Sequence, residues 1–335
     1  MITNSKIGFS QQLGSQMNML ANLFYISIEN KQEIVFWDEL RYFRQGYLFC
    51  DVFNIKDIKY IKRSSFLKQL IKLYHNINNE SGAWKKYKKF SFKYIKNFFA
   101  RLFTSWVYNL VKSKYKNFID YSNNLSMGIF VDQKLLSLDK NNNYDISNGF
   151  GTYQSFKKHY NVIEKNFIFK QEIIDNGDKI YNKILTNPKY NQKQIVSVHF
   201  RRTDYLLFYS LNLGVDYYNK AIKQFDSKKC VFAIFSDDIV GCKDFIKENS
   251  LFDGCECLFM KNNSYGVDMY LMSKCNHNII ANSTFSFWAA LLNKHKNKLV
   301  VCPHDFVSIG VEGKDTGHES LYLNGNYYPD DWVAI

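Results

Sequence analysis

From residue 195 onward, short apolar runs alternate with segments whose apolar residues recur every three or four positions. "IVSVHF" (195–200), "CVFAIFSDD" (230–238), "CECLFM" (255–260), "HNIIAN" (277–282) and "KLVVCP" (298–303) read as strands. Between them, "VDYYNKAIKQF" (215–225) sets Tyr218, Ala221, Ile222 and Phe225 on one helical face. "CKDFIKENS" (242–250), "DMYLMSKC" (268–275) and "STFSFWAALLNK" (283–294) read as further helices. Strands alternating with helices predict an α/β fold with a parallel sheet wound in βα units.

The N-terminal half has a weaker version of the same pattern. "KI" (6–7) opens a short strand, "GFSQQLGSQ" (8–16) reads as a loop, "MNMLANLFYISI" (17–28) as a helix and "EIVFW" (33–37) as a strand. Prolines stand only at 188, 303 and 329, so breaks are few. The polar stretch "LTNPKYNQKQ" (185–194) is the best boundary. It divides the chain into an N-terminal α/β domain, 1–188, and a C-terminal Rossmann-like domain, 189–335.

Residues 75–125 interrupt the first domain as an insertion. Within it, Phe92, Ile95, Phe99, Leu102, Trp106 and Leu110 step by three or four, and ten Lys or Arg fall between Lys85 and Lys116 without an acid. The segment 85–118 therefore reads either as a basic amphipathic helix on an anionic membrane surface or as a core helix with a solvated lysine face.

The formal net charge of +13 favours an anionic partner. The positive excess is concentrated in residues 85–116 and no nucleic-acid-binding motif accompanies it, so a nucleic-acid partner is disfavoured. Seven cysteines show no paired metal-ligand spacing, with Cys255-x-Cys257 the one close pair, and read as reduced thiols. The N-terminus lacks the charge-then-apolar pattern of a secretory signal, and no apolar run approaches the roughly 20 residues of a membrane span. The expectation is a cytoplasmic protein, soluble or peripheral on the inner membrane face.

In a parallel α/β sheet, ligands sit beyond the carboxyl ends of the strands. That rule selects His199, Arg201, Arg202 and Asp204 after the first strand, Ser236, Asp237 and Asp238 after the second, and Asn282, Ser283 and Thr284 after the fourth. Ser283 or Thr284 at a helix start either caps the helix or joins an anion site. A guanidinium grips phosphate bidentately. If the strand ran on through both arginines, only one would face the ligand, leaving the other to pair with a carboxylate such as Asp204. Asp237 and Asp238 read equally as a turn and helix cap. Asp237, Asp238 and Asp268 would sit badly beside phosphate, and one such carboxylate could instead accept both donors of a guanine edge. Metal is the weaker account of the acids, since no Asp-x-Asp pair has a third ligand.

"HFRRTDY" (199–205), "FSDD" (235–238) and "DMYLMSKCNHNIIANSTFSFWAALLN" (268–293) resemble the α-1,2-fucosyltransferases, glycosyltransferase family 11, of the bacterial surface-polysaccharide type. "NGFGTYQSFKKHY" (148–160) resembles that family's Gly-Tyr-Trp-Gln-Ser segment, and "QLGSQMNMLANLF" (12–24) its glycine loop and first helix. The motifs cover most of the chain in the family's order, except residues 75–125.

The resemblance implies a GT-B fold: two Rossmann-like domains facing a central cleft, with GDP-fucose mainly on the C-terminal one. It implies inverting transfer of L-fucose from GDP-β-L-fucose to the 2-hydroxyl of a terminal galactose, without metal or other cofactor. The acceptor would be a β-galactoside, lipid-linked in O-antigen or other surface-glycan synthesis. Another linkage or acceptor is the nearest alternative; a basic membrane- or nucleic-acid-binding protein is the remote one. Arg201 matches the arginine on the β-phosphate, His199 and Asp268 match nucleotide-reading positions, and Ser283 and Thr284 match hydroxyls on the diphosphate. Asn282, Ser236 and Gly14 belong to the same donor-binding set; Arg201, Arg202 and Asp204 form the candidate catalytic set.

The chain departs from the family in places. The loop Gly-Gly-Leu-Gly-Asn-Gln is here Gln11-Gln12-Leu13-Gly14-Ser15-Gln16, Thr203 replaces a glycine, and Phe287 replaces a common tryptophan. Asp204 is the nearest candidate for a base that deprotonates the galactose hydroxyl, and equally a partner for Arg202.

Overall fold

The computed structural model describes residues 1–8, 11–38, 46–61, 118–120, 133–146, 152–190, 192–207, 213–306 and 327–335. The basic segment 85–116 lies outside these residues, as do 148–151 of the Gly-Tyr-Trp-Gln-Ser-like motif.

Two parallel sheets organise the chain. The first is built from β1 (Ile2–Thr3), β2 (Ile34–Trp37), β3 (Ile58–Ile61), β4 (Phe118–Asp120) and β5 (Asn143–Asp145), in the order β3-β2-β1-β5-β4. The second is built from β6 (Gln194–Phe200), β7 (Cys230–Ser236), β8 (Glu256–Phe259), β9 (His277–Ile279), β10 (Val300–Cys302) and β11 (Val333–Ala334), in the order β11-β10-β9-β6-β7-β8. Every pairing between these strands is parallel.

The helices are α1 (Leu13–Asn30), α2 (Leu48–Val52), the short turns α3 (Tyr153–Phe156) and α4 (Tyr160–Ile163), α5 (Gln171–Leu185), α6 (Val215–Ile222), α7 (Ile239–Glu248), α8 (Tyr265–Lys274) and α9 (Thr284–Leu291). This is the GT-B arrangement, two α/β sheets facing one cleft. Its second sheet reverses winding direction between β6 and β9, the switch point where such sheets bind ligands.

β6 and β7 are continuous apolar runs because helices cover both faces of their sheet, and their interior positions are buried. α1 is buried along nearly its whole length, unlike a surface helix. It packs on α9 of the other half. At that contact Asn18 Nδ2 donates to Tyr327 Oη at 2.7 Å, and Trp288 Nε1 donates to Asn18 Oδ1 at 2.6 Å. Trp288 also stacks on Phe156, centroids 5.6 Å apart. One apolar cluster therefore contains residues of both sheets, from Ile2 and Phe36 to Val231 and Trp288.

The structure corrects two local expectations. The first strand is Ile2–Thr3, not residues 6–7. Asn4 Oδ1 accepts from the backbone N of both Lys6 and Ile7 at 3.1 Å, which curls the chain into a turn there. Residues 13–16 are not loop but the first turn of α1. Among the described residues, all seven cysteines are free thiols and no helix is long and apolar enough to cross a membrane.

Candidate active site

A cleft of about 340 Å³ opens at the carboxyl end of β6, between the two halves. β6 stops at Phe200, and the next residues turn sharply, with Leu206 N donating to Arg202 O at 2.8 Å. The turn separates the two arginines. Arg201 faces the cleft: Nη1 lies 2.9 Å from Asp237 Oδ2, Nη2 lies 2.6 Å from Asp204 Oδ1, and the guanidinium sits 5.3 Å from the Tyr205 ring centre. Arg202 packs away from the cleft, over the Phe245 ring of α7, with Nε 3.7 Å from Asp238 Oδ2.

The pairing of Arg202 with Asp204 is thereby corrected. In a turn, residues 201 and 204 come to the same side, so Asp204 meets Arg201 instead. Arg202 contributes through its main chain, whose N donates to Asp237 Oδ1 at 2.9 Å.

The acids after β7 divide their work. Asp238 caps α7, accepting from Gly241 N at 3.0 Å. Asp237 faces the cleft. Burial pushes its carboxyl pKa up, but the Thr203 hydroxyl, the Arg202 N–H and the Arg201 charge outweigh that and hold it below the usual range. Ser236 also lines the cleft, its Oγ accepting from Asp238 N at 3.1 Å.

His199 is 4% exposed and lines the cleft. Burial, with the Arg201 charge adding and Asp237 opposing, brings its pKa down to about 4. The ring is therefore neutral near pH 7. Its Nδ1 has no hydrogen-bond partner among the described residues, so it is open to a ligand group.

Asp268 stands in the first turn of α8, which Ser264 caps at Val267 N, 3.3 Å. Burial pushes its carboxyl up to about 6, against the lowering effect of Asn263 Nδ2, which donates to it at 2.8 Å.

The remaining wall is made by two helix starts. Ser283 caps α9, its Oγ accepting from Phe285 N at 3.4 Å, and Thr284 follows in the first turn. Asn282 is buried just behind, its carbonyl accepting from Tyr205 Oη at 3.2 Å. Packed against it lies the start of α1. A Cβ on Gly14 would come within 2.4 Å of the Thr284 carbonyl carbon, so only glycine lets the helices approach this closely. Ser15 Oγ reaches to 3.4 Å from Thr284 Oγ1. Two helix N-termini thus converge on the cleft that Arg201 faces, and both favour negative charge.

His199, Arg201, Asp204, Ser236, Asp268, Ser283, Thr284 and Gly14 all line this cleft. Arg202 and Asn282 stand behind it. The sequence reading missed Tyr205, Tyr265 and Leu48, which line it too. The apolar pattern alone starts the helix at Asp268 and so leaves Tyr265 out; Ser264, a good capping residue, was the available signal. The Tyr265 hydroxyl donates to Asp51 Oδ2 at 3.3 Å. Among the described residues no cluster of three His, Cys, Asp or Glu is arranged to hold a metal ion.

Residues 137–308 match glycosyl transferase family 11. The O-antigen biosynthesis glycosyltransferase WbnK of Escherichia coli is 29% identical over 198 residues, which is 53% of this chain and 62% of that protein. An alpha-1,2-colitosyltransferase of Escherichia coli is 37% identical over 117 residues, 32% of this chain and 39% of that protein. The chain thus matches less than two thirds of the length of either relative. Among solved structures, fucosyltransferase NodZ from Bradyrhizobium aligns over 87% of this chain and 90% of its own, at 15% identity and a TM-score of 0.46.

Proposed function

This chain belongs to glycosyl transferase family 11, and we propose that it moves L-fucose from GDP-β-L-fucose to the 2-hydroxyl of a terminal galactose, with inversion, in surface-glycan assembly of the O-antigen kind. The observation that carries this reading is the convergence of the Arg201 guanidinium and the N-termini of α1 and α9 on one cleft. Breaking the sugar–phosphate bond leaves negative charge on the nucleotide. A fixed cation and aligned N–H groups aimed at the leaving oxygen stabilise that charge as it develops.

The donor lies along the residues described. Its diphosphate spans Arg201, Ser283, Thr284 and the turn at Gly14. The guanine edge presents two donors to Asp268, and a neutral His199 accepts from the nucleotide through Nδ1. The sugar points toward the N-terminal half, where the galactose hydroxyl attacks the anomeric carbon from the face opposite the phosphate. These residues supply the anion stabilisation by themselves, and no metal or other cofactor enters the reading.

The relatedness to a colitosyltransferase favours a second reading, in which the donor sugar is colitose, fucose without its 3-hydroxyl. One experiment separates the two. Purified protein is offered GDP-fucose or GDP-colitose with a panel of β-galactosides, and product linkage is determined. The account expects a 1,2-linked fucosyl galactoside. Preference for GDP-colitose would move the donor assignment, and fucose on another hydroxyl would overturn the linkage.

A further inference from the structure

Two carboxylates hold the Arg201 guanidinium, and they are anchored very differently. Asp237 has a side chain 20% exposed and also accepts from the Arg202 main-chain N and the Thr203 hydroxyl. Asp204 has a side chain 56% exposed, on a turn, and among the described residues it meets, besides Arg201, only the Thr203 hydroxyl, at 3.3 Å. A diphosphate entering this cleft must compete for the same guanidinium. A phosphate offers it a bidentate and more highly charged partner than a carboxylate does. An exposed ion pair with one anchor is held weakly, so Asp204 yields and Asp237 stays.

Resting on the GDP-sugar reading above, we propose that Asp204 and the donor diphosphate exchange on the Nη2 arm of Arg201, and that the released carboxylate becomes the proton acceptor for the galactose hydroxyl. Once released, the carboxylate is repelled by the bound phosphate and turns into the rest of the cleft, where the acceptor enters. While paired with Arg201 its Oδ1 is held by the guanidinium and is not free to take a proton from an acceptor hydroxyl. Donor binding therefore switches the base on, and the donor must bind before the acceptor reacts. In the step itself the acceptor O–H bond breaks and its proton passes to an Asp204 Oδ atom. The oxygen forms its bond to the anomeric carbon, the bond from that carbon to the β-phosphate oxygen breaks, and its electron pair leaves with GDP, facing Arg201.

The test uses Asp204→Asn and Asp204→Ala, titrated with GDP by calorimetry and assayed at saturating donor. Losing the competing carboxylate should tighten GDP binding about fivefold, the scale of an exposed ion pair. Turnover should fall by about 10²–10⁴, the contribution of a general base. A purely structural Asp204, one that only orients Arg201, gives the opposite sign: weaker GDP binding in both variants, which would overturn the exchange. Tighter binding with unchanged turnover would overturn the proton-accepting role. Wild-type protein that binds no GDP would instead overturn the donor reading, and the exchange with it.

Discussion

Asp268 lines the cleft with a carboxyl that burial has pushed up to about 6. The folded state therefore holds its proton more tightly than the unfolded chain does. The contribution to stability is complete below about pH 4 and is lost as pH rises through 6. The loss comes to about 3 kcal/mol, because the folded and unfolded carboxyls titrate roughly two pH units apart. Asp268→Asn removes this penalty. Urea unfolding should find the variant about as stable as wild type at pH 4 and about 3 kcal/mol more stable at pH 8, while its GDP affinity drops. A stability difference that does not change with pH would mean that the carboxyl titrates normally. A charge kept at such a cost is what a binding site looks like, since stability alone would favour an amide. Much of this was legible in the sequence: His199, Arg201, Asp268, Ser283 and Thr284 all reach the cleft. What residue types could not give was the division of labour. Which arginine meets Asp204 depends on where β6 stops, and a strand extended by two residues would have exchanged their partners.

At the scale of elements, the site depends on how α1 and α9 meet. Their N-termini are close because Gly14 lies against the Thr284–Phe285 peptide, and farther along Asn18 bridges Trp288 and Tyr327. Asn18→Leu leaves an indole N–H and a phenol buried without that partner. It should cost about 3 kcal/mol in denaturant unfolding and weaken GDP binding by shifting the helix starts. Unchanged stability would show that the bridge is replaceable. The strands β6 and β7 and the helices after them were readable because long apolar runs and 3.6-residue periods survive in single segments. β1 was not, since two residues carry no period and its place is set by pairing with β2 and with β5, some 140 residues away. The turn at residues 4–7 escaped for a related reason: Asn4 can end a strand or sit in a loop, and only its two backbone partners decide.

At the scale of the molecule, the two halves share one apolar cluster rather than touching across a wet boundary. Cooperative unfolding follows. Tryptophan fluorescence and far-ultraviolet circular dichroism should trace one coincident transition in guanidinium, and two separated transitions would contradict a shared core. A joined core also keeps the N-termini of α1 and α9 against each other on the cleft that Arg201 lines, so the anion site does not have to be assembled at each turnover. The central claim is that this convergence stabilises the departing nucleotide. Its most direct test is turnover of GDP-fucose with a β-galactoside by wild type and by Arg201→Ala, with folding of the variant checked by circular dichroism. The account predicts transfer by the wild type and a loss of about 10²–10³-fold or more in the folded variant. Turnover by Arg201→Ala within a few-fold of wild type would contradict it.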